Sequence, residues 1–563
     1  MSNQIRETKA ALSVLVQQAL DKAVQQGKLP EQCAGVCAQV EIPKDKGNGD
    51  FASTVCMRLA KPAKMAPRAI AEILTDGLNG PDIEKVEIAG SGFINFYMKP
   101  EWLYQPLADI DREQEQYGRT DLGKGQKVMV EFISANPTGP MHVGNARGGA
   151  IGDVLAAALD WSGYDVCREF YVNDAGNQIE KFGNSLEARY LQHFLGEDKV
   201  PFPEDGYHGA DITQMMEEYI GLYGDQHLEE DSEMRRKALV DYSLKRNLEK
   251  MEKTMKDFRI YYDVWFRESS LYESGEVQKT IDDLTKLGYT YEKEGAVWLA
   301  VTKFGGEKDE VLVRNNGIPT YFAADIAYHR NKFVTRGFDR VIDVWGADHH
   351  GHTARMKGAM EVLSIDPDRL VFVLMQLVRL IRDGEVVRVS KRTGKAHTLN
   401  DLLEETGTDA ARFFFNMRSP SSHFDFDLDL AVEQSNENPV YYVQYAHARI
   451  CSIISLLAGE GISVPDFSEI DPSLLCEKEE MEVLKLLMQF PEELAAAGES
   501  LDPSRITKYT IDLASAFHSF YNACRVKNDD RALTLARLKL IDCVRTVIRN
   551  GLTVLGVTCP EHM

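Results

Sequence analysis

No stretch of this 563-residue chain comes near the ~18 uninterrupted apolar residues of a membrane-spanning helix. No C-x-x-C pair occurs among its nine cysteines, at positions 33, 37, 56, 167, 451, 476, 524, 543 and 559. Their odd number and scatter suit reduced, mostly buried thiols and speak against a disulfide framework or a structural zinc site. The opening stretch MSNQIRETKAALSVLVQQALDKAV lacks the basic, apolar and small-residue segments of a secretory leader and alternates like an amphipathic helix, so a cytoplasmic location is expected. Excess positive charge is also missing. With 64 Lys and Arg against 87 Asp and Glu the net charge is -23, which excludes indiscriminate nucleic-acid binding through overall charge. Any grip on a polyanion must be local: six basic residues lie between Arg379 and Lys395 against Asp383 and Glu385, and nine lie between Pro503 and Arg549 against four acidic ones.

What is present is ordinary globular material, 44% hydrophobic and 27% charged, in a chain long enough for two to four domains. Residues 1–118 start as a helix, pass a glycine turn at GNGDFASTVCMRLAK and end in the strand-like VEIAGSGFINFYM, a small α+β module. From Gly125 the pattern becomes strand, turn, helix and strand: KVMVEFISA, NPTGP, VGNARGGAIGDVLAAALDWSGY and DVCREFYVND form a βαβ unit. Residues 177–295 turn acidic and helical and read as an insertion. After it VWLAV, VLVRNNGIPTY, FAADIAYHRNKFV, DRVIDVWGAD, HTARMKGAMEVL and RLVFVLMQLV resume the alternation, which predicts a Rossmann-like, doubly wound parallel sheet over residues 119–435. Residues 436–563 show 3.6-residue apolar spacing throughout and predict a helical bundle.

Two constellations carry chemistry. The run from Asn136 to Arg147, NPTGPMHVGNAR, falls where strand gives way to helix, so His142 and the first free backbone N–H groups face the carboxyl edge of the sheet. Ligands lodge at that edge in open α/β sheets, and a helix N-terminus favours phosphate through its dipole and unpaired donors. A nucleotide phosphate is the natural guest, with Gly144 leaving room for close approach. Neither Walker nor G-x-G-x-x-G spacing is present, so in isolation His142 could equally cap an ordinary βα loop. The second run, Val389-Ser390-Lys391-Arg392-Thr393-Gly394-Lys395, puts three cations in five residues, able to follow and neutralise a leaving pyrophosphate. A basic surface loop would read the same way by itself.

Together, His142-Val143-Gly144-Asn145 and Arg388-Val389-Ser390-Lys391-Arg392 resemble the His-Ile-Gly-His and Lys-Met-Ser-Lys-Ser signatures of class I aminoacyl-tRNA synthetases. Asn145 stands where the second histidine is usual, a neutral amide that can donate a hydrogen bond but carries no charge. The segments EFISANPTGPMHVGNARGGAIGD, YVNDAGNQI, YFAADIAYHRNK, WGADHHGHTARMK, NPVYYVQYAHARI and GLTVLGVTCPEHM, with the leading GNGDFASTVCMRLAK and GSGFINFY, resemble the bacterial arginyl-tRNA synthetases over essentially the whole chain.

That resemblance implies ATP-dependent activation of L-arginine, transfer to tRNA(Arg), Mg²⁺ with the ATP, no metal held by protein side chains, and a monomer. It implies catalytic roles for His142, Asn145, Lys391 and Arg392. ATP would be held by Pro137, Gly139, His142, Gly144, Asn145, Gly346, Asp348, His349, Val389, Ser390 and Lys391. Arginine would be held by Glu131, Ser134, Asn136, Tyr321, Asp325 and His349, with Glu131 and Asn136 on its ammonium and carboxylate. A guanidinium, flat with five donors, is best met by a carboxylate and an aromatic face, which suits Asp325 and Tyr321, four apart on one helix. The family resemblance further implies that tRNA must be present for activation, that the leading module touches the outer corner of the tRNA, and that the C-terminal bundle grips the anticodon stem-loop. The basic stretch Arg505 to Arg549 and Tyr441, Tyr442, Tyr445 and Tyr521 are candidates for that grip.

Three other readings remain at this point. Trp345-Gly346-Ala347-Asp348-His349-His350-Gly351-His352 places three imidazoles within four residues, a possible zinc set. A non-catalytic tRNA-binding paralogue would keep the fold but has no need of pyrophosphate contacts. A cysteine synthetase shares the architecture but needs a zinc-thiolate site that this cysteine pattern does not offer.

Overall fold

The structure, a computed structural model, describes residues 3–43, 45–304, 308–389 and 397–563. Ser390, Lys391 and Arg392 therefore lie outside the described residues. The chain begins with a helix, Gln4–Gln25, whose stripe Ile5, Leu12, Val16, Leu20 and Ala23 is buried in one core with helices Val55–Ala63 and Pro67–Thr75 and a four-stranded antiparallel sheet. This module has its own apolar core. Its first helix is also pinned to the C-terminal bundle, where Arg6 donates to Glu492 and Glu499.

The central domain is built on β1 (Lys127–Phe132), α1 (Val143–Trp161), β2 (Asp165–Val172), α2 (Asn177–Leu195), α3 (Ala210–Tyr223), α4 (Ser232–Asp257), β3 (Val264–Arg267), α5 (Tyr321–Arg330), β4 (Arg340–Gly346), α6 (His350–Val362) and β5 (Leu370–Met375). The strands pair in the order β5-β4-β1-β2-β3, every pair parallel. Chain order runs outward from β1 in both directions, so the sheet is doubly wound and its switch point lies between β1 and β4. Buried on both faces from Val128 onward, β1 reads as an apolar run, Val128-Met129-Val130, rather than an alternating one, with Glu131 the buried exception. Helix α1 lies unusually close to it: a Cβ on Gly152 would sit 2.3 Å from the Phe132 ring, and one on Gly149 2.9 Å from Ile133. Only glycine permits that approach, and it sets where the helix start points.

The insertion is shorter than the 177–295 expected. Helices α2, α3 and α4 form a satellite with its own core, but β3 pairs with β2 as an edge strand of the main sheet. Four residues long and half-buried, β3 leaves no readable apolar period. The segments VWLAV and VLVRNN also differ from expectation. They supply Ala296–Leu299 and Glu310–Val313 to a separate antiparallel sheet with Thr290–Lys293, not strands of the parallel sheet.

After β5, strands β6 (Val378–Arg382), β7 (Glu385–Val387) and β8 (Phe424–Asp427) make a small sheet around α7 (Leu399–Phe415). The bundle follows as α8 (Pro439–Gly459), α9 (Lys478–Ser500), α10 (Ser504–Ala523) and α11 (Arg531–Leu555). Among the described residues no helix is long and apolar enough to cross a membrane.

Candidate functional site

At the carboxyl end of β1 the backbone turns sharply. Ile133 and Ser134 both take positive φ, 71° and 48°, and the Ser134 amide donates back to the Phe132 carbonyl at 3.1 Å, a γ-turn. A β-branched residue at positive φ is strained, on the order of 1–3 kcal/mol, and such strain persists only where surroundings over-determine it. Here Ser134 Oγ donates to Glu131 Oε1 at 2.8 Å and accepts from the Tyr171 amide at 3.2 Å. The turn thereby fixes Glu131 and opens the strand end toward the switch point.

The chain then crosses to His142, the N-cap of α1. Asn145 Oδ1 accepts from the His142 amide at 3.1 Å, which identifies the side-chain oxygen and leaves Nδ2 as the donor for a ligand. A Cβ on Gly144 would meet nothing within 4 Å, so the helix start is open on that side. The segment emerging from the basic loop is bonded to this turn: His142 bridges to Thr398, the Val143 amide donates to the His397 carbonyl at 3.3 Å and the Leu399 amide to the Met141 carbonyl at 2.8 Å. The loop's far end is thus tied to the His142 turn, and Val389 stands exposed at its near end.

Two cavities meet here. The larger, about 1050 Å³, is walled by Ser134, Asn136, Gly139, His142 and Asn145 of the turn, by His349, and by Tyr207, His208 and Asp211 of the insertion. The smaller, about 420 Å³, is walled by Glu131, Ser134, Asn145, Tyr171, Asp325, Gly346, Asp348, His349 and His352. Ser134, Asn145 and His349 belong to both, so the cavities form one cleft across the switch point.

At the inner end of the smaller cavity, Asp325 projects from α5 and its Oδ2 lies 3.0 Å from His352 Nε2. The His352 ring stacks on Trp345, 5.6 Å between centroids. Glu268, 2% exposed and not among the wall residues, lies close enough to Asp325 to feel its charge and was not foreseen. Burial pushes its carboxyl up to about 8, and the negative charges of Asp325 and Asp174 add to the effect. Arg267 Nε lies 3.8 Å from Asp174 Oδ2, so the excess negative charge of the group rests on Asp325 and Glu268. At the outer end, Gly346, at an ordinary φ of -66°, leads into the turn bearing the exposed Asp348.

Most of the expected residues are brought together, with three placements to note. Asn136 lines the larger cavity, away from Glu131 in the smaller. Pro137 is buried and lines neither; its carbonyl accepts from Asn247 Nδ2 of α4 at 2.9 Å. Tyr321 is 41% exposed at the start of α5, its hydroxyl beside Gly176, outside the wall of the smaller cavity. The imidazoles of the HHGH run diverge: His349 Nε2 lies 3.7 Å from Asp348 Oδ2 while His352 turns to Asp325. Among the described residues no group of three His, Cys, Asp or Glu could hold a metal ion.

Far from the cleft, α8 and α10 present a half-buried aromatic and cationic platform. Tyr441 stacks on Tyr445 with 6.1 Å between centroids, Tyr445 on His518 at 6.1 Å, and the Arg449 guanidinium lies 4.2 Å from the Tyr521 centroid.

Comparison with known proteins bears on the same three regions. The family model for the catalytic domain of class I tRNA synthetases (R) matches residues 107–421, that for the arginyl tRNA synthetase N terminal domain residues 10–98, and that for the DALR anticodon binding domain residues 443–563. The arginine–tRNA ligase of Acetivibrio thermocellus is 57% identical over 565 residues, and that of Caldanaerobacter subterraneus subsp. tengcongensis 58% identical over 566 residues, each alignment covering 100% of both chains. The solved structure of Thermus thermophilus arginyl-tRNA synthetase, 23% identical, shares the fold with a TM-score of 0.75 over 99% of this chain and 100% of that one. A switch-point cleft with carboxylates at one end and an open helix start at the other, within matches that span the chain, places this protein in the arginyl-tRNA synthetase family.

Proposed function

We propose that arginine and ATP react in the cleft at the β1–β4 switch point, with the guanidinium at Asp325 and Glu268, the α-ammonium at Glu131, the ribose at Gly346 and Asp348, and the phosphates at the start of α1. The protein is an arginine–tRNA ligase that uses ATP to activate L-arginine and passes it to tRNA(Arg). The observation that carries the placement is the junction of the two cavities at Ser134, Asn145 and His349, where a carboxylate-lined pocket opens onto a helix N-terminus.

In the first step an oxygen of the arginine carboxylate attacks the α-phosphorus in line, the α–β phosphoanhydride bond breaks and pyrophosphate leaves. The attacking group is already ionised, so no protein nucleophile or base is needed, and the work is positioning and stabilisation of charge. His142, the Asn145 amide and the first N–H groups of α1 supply that on one side, and Lys391 and Arg392 on the other. The bonds between residues 397–399 and the His142 turn support this pairing, since they keep the end of the basic loop at the helix start. ATP enters with Mg²⁺, which adds charge neutralisation. In the second step the terminal ribose hydroxyl of the tRNA attacks the adenylate carbonyl carbon, the acyl–phosphate bond breaks and AMP leaves.

The half-buried tyrosine and arginine platform on α8 and α10 is assigned to anticodon bases, because base–aromatic stacking and guanidinium contacts suit single-stranded RNA where a duplex would not fit. Action as a monomer belongs to the same reading. A cytoplasmic site of action goes with the supply of charged tRNA.

The test is aminoacylation of total tRNA with each of twenty labelled amino acids, accompanied by pyrophosphate exchange with and without tRNA. Arginine alone is charged well, and exchange depends on arginine and on tRNA. Efficient charging of another amino acid, or exchange without arginine, contradicts the assignment.

A further inference from the structure

Beneath the cleft, the three central strands carry buried carboxylates in one register. Glu131 of β1 pairs with Asp343 of β4 on one side and Glu169 of β2 on the other. Adjacent parallel strands lie about 4.8 Å apart, so an uncompensated row of this kind would not stay ionised. The compensation comes from a single stretch of chain. Helix α5 runs into a π-helical turn, Asn331–Thr335, a rare element that adds a residue per turn. It swings Lys332, fully buried, under the sheet, with Arg336 just beyond.

Lys332 Nζ donates to Glu131 Oε2 at 2.5 Å and to Asp343 Oδ1 at 2.9 Å, and lies 4.2 Å from the Tyr328 ring centroid. Arg336 makes a separate two-pronged pair with Glu169, to which Tyr328 also donates. His329 Nε2 lies 2.8 Å from Asp343 Oδ2. Lys332 is therefore committed to Glu131 and Asp343, one cation against two carboxylates. With Ser134 on Oε1 and Lys332 on Oε2, each Glu131 oxygen keeps one acceptor site, and Glu131 faces the smaller cavity.

We propose that Lys332 is the positioning residue of the α-ammonium subsite: clamped between Glu131 and Asp343, it holds the Glu131 carboxylate oriented toward the cleft as an acceptor for the substrate's ammonium. This rests on the placement of the ammonium at Glu131. The same helix carries Asp325, so α5 with its π-turn sets the spacing between the guanidinium and ammonium ends of the substrate. Burial works to raise the Glu131 carboxyl and Lys332 opposes it. The charged and titratable groups facing Glu131 are Lys332, Tyr328 and His329 from α5 and its π-turn, Asp343 from β4, Glu169 and Tyr171 from β2, and Tyr262, and of these Lys332 bonds to it directly.

The experiment compares L-arginine with 5-guanidinopentanoate, which lacks only the α-amino group, as substrate and competitive inhibitor of tRNA arginylation by the full-length enzyme. Glu131→Gln is measured first. If the ammonium sits at Glu131, the preference for arginine over the des-amino compound collapses by about ten- to a hundredfold, the loss of one hydrogen bond to a charged group. Lys332→Met then collapses the same preference, with inhibition by the des-amino compound and KM for ATP little changed, and makes KM for arginine fall as pH rises, since Glu131 must now ionise unaided. Lys332→Gln, neutral but still a donor, gives a smaller collapse and serves if the methionine variant does not fold. A preference lost in Glu131→Gln but retained in both Lys332 variants overturns the proposal while leaving the ammonium placement standing. A preference retained in Glu131→Gln overturns both. Equal weakening of arginine and the des-amino compound in the Lys332 variants marks a merely structural role and also overturns it.

Discussion

Asn247, on the last helix of the insertion, donates its side-chain amide to the carbonyl of Pro137 at 2.9 Å, across a gap of 110 residues. The bond is buried and ties a satellite module to the turn that precedes His142. Tyr207, His208 and Asp211 of the same module wall the larger cavity, so the insertion both anchors the turn and bounds the cleft.

Replacing Asn247 with leucine keeps the branched shape but leaves the Pro137 carbonyl buried without this partner, at a cost of about 1–3 kcal/mol. Thermal denaturation will show the lowered stability, and pyrophosphate exchange will show a raised KM for ATP with KM for arginine little changed. An unaltered KM for ATP would mean that the turn is fixed by other contacts.

Lys391→Ala removes a cation matched to charge that builds on the leaving pyrophosphate, so it costs turnover more than affinity. By analogy with loss of one transition-state donor, kcat for exchange falls about 100- to 1000-fold while both KM values change little. Exchange at the parental rate would show that Lys391 does not act in the chemical step.

Asp325→Asn removes the charge facing the guanidinium and raises KM for arginine by roughly ten- to a hundredfold, the equivalent of about 1.5–3 kcal/mol, without changing KM for ATP. His352→Phe keeps the stacking on Trp345 but loses the bond to Asp325 Oδ2, and gives a smaller rise of the same kind. Steady-state arginylation kinetics separate the two, and an unchanged KM in Asp325→Asn would remove the guanidinium from this end of the cleft.

Glu268 yields a pH effect of definite sign. Burial, with Asp325 and Asp174 nearby, lifts its carboxyl from the ordinary 4.5 to about 8. The folded state then holds a proton that the unfolded state has released, so this group's contribution to stability is full below pH 4.5 and is lost as pH rises toward 8. A guanidinium beside it favours the ionised form, and the rise in melting temperature produced by arginine therefore grows with pH across that window. Glu268→Gln flattens the dependence; a ligand shift that shrinks with pH in the parent would contradict the placement.

The chain's periodicity and breakers show the βαβ start, because β1 carries the apolar run Val128-Met129-Val130 and α1 opens at a Pro- and Gly-rich turn. They also place His142, Asn145, Gly346 and Asp348 on one sheet edge, since each follows a readable strand. What they hide is set by contacts remote in sequence. Strand β3 has four residues and no apolar period, so it passes for part of the insertion until it pairs with β2. Glu268 and Lys332 look like ordinary surface charges, and only the fold buries them. The γ-turn at Ile133 runs against the residue's own preference and is imposed by Ser134's bonds to Glu131 and Tyr171.

The most direct measurement is the crystal structure with a sulfamoyl analogue of arginyl-adenylate. The account places its guanidinium against Asp325 and Glu268, its α-ammonium on Glu131, its ribose at Asp348 and its sulfamate at the start of α1 beside His142. Density running the other way, with adenine in the carboxylate pocket, or lying outside the cleft between β1 and β4, would contradict it.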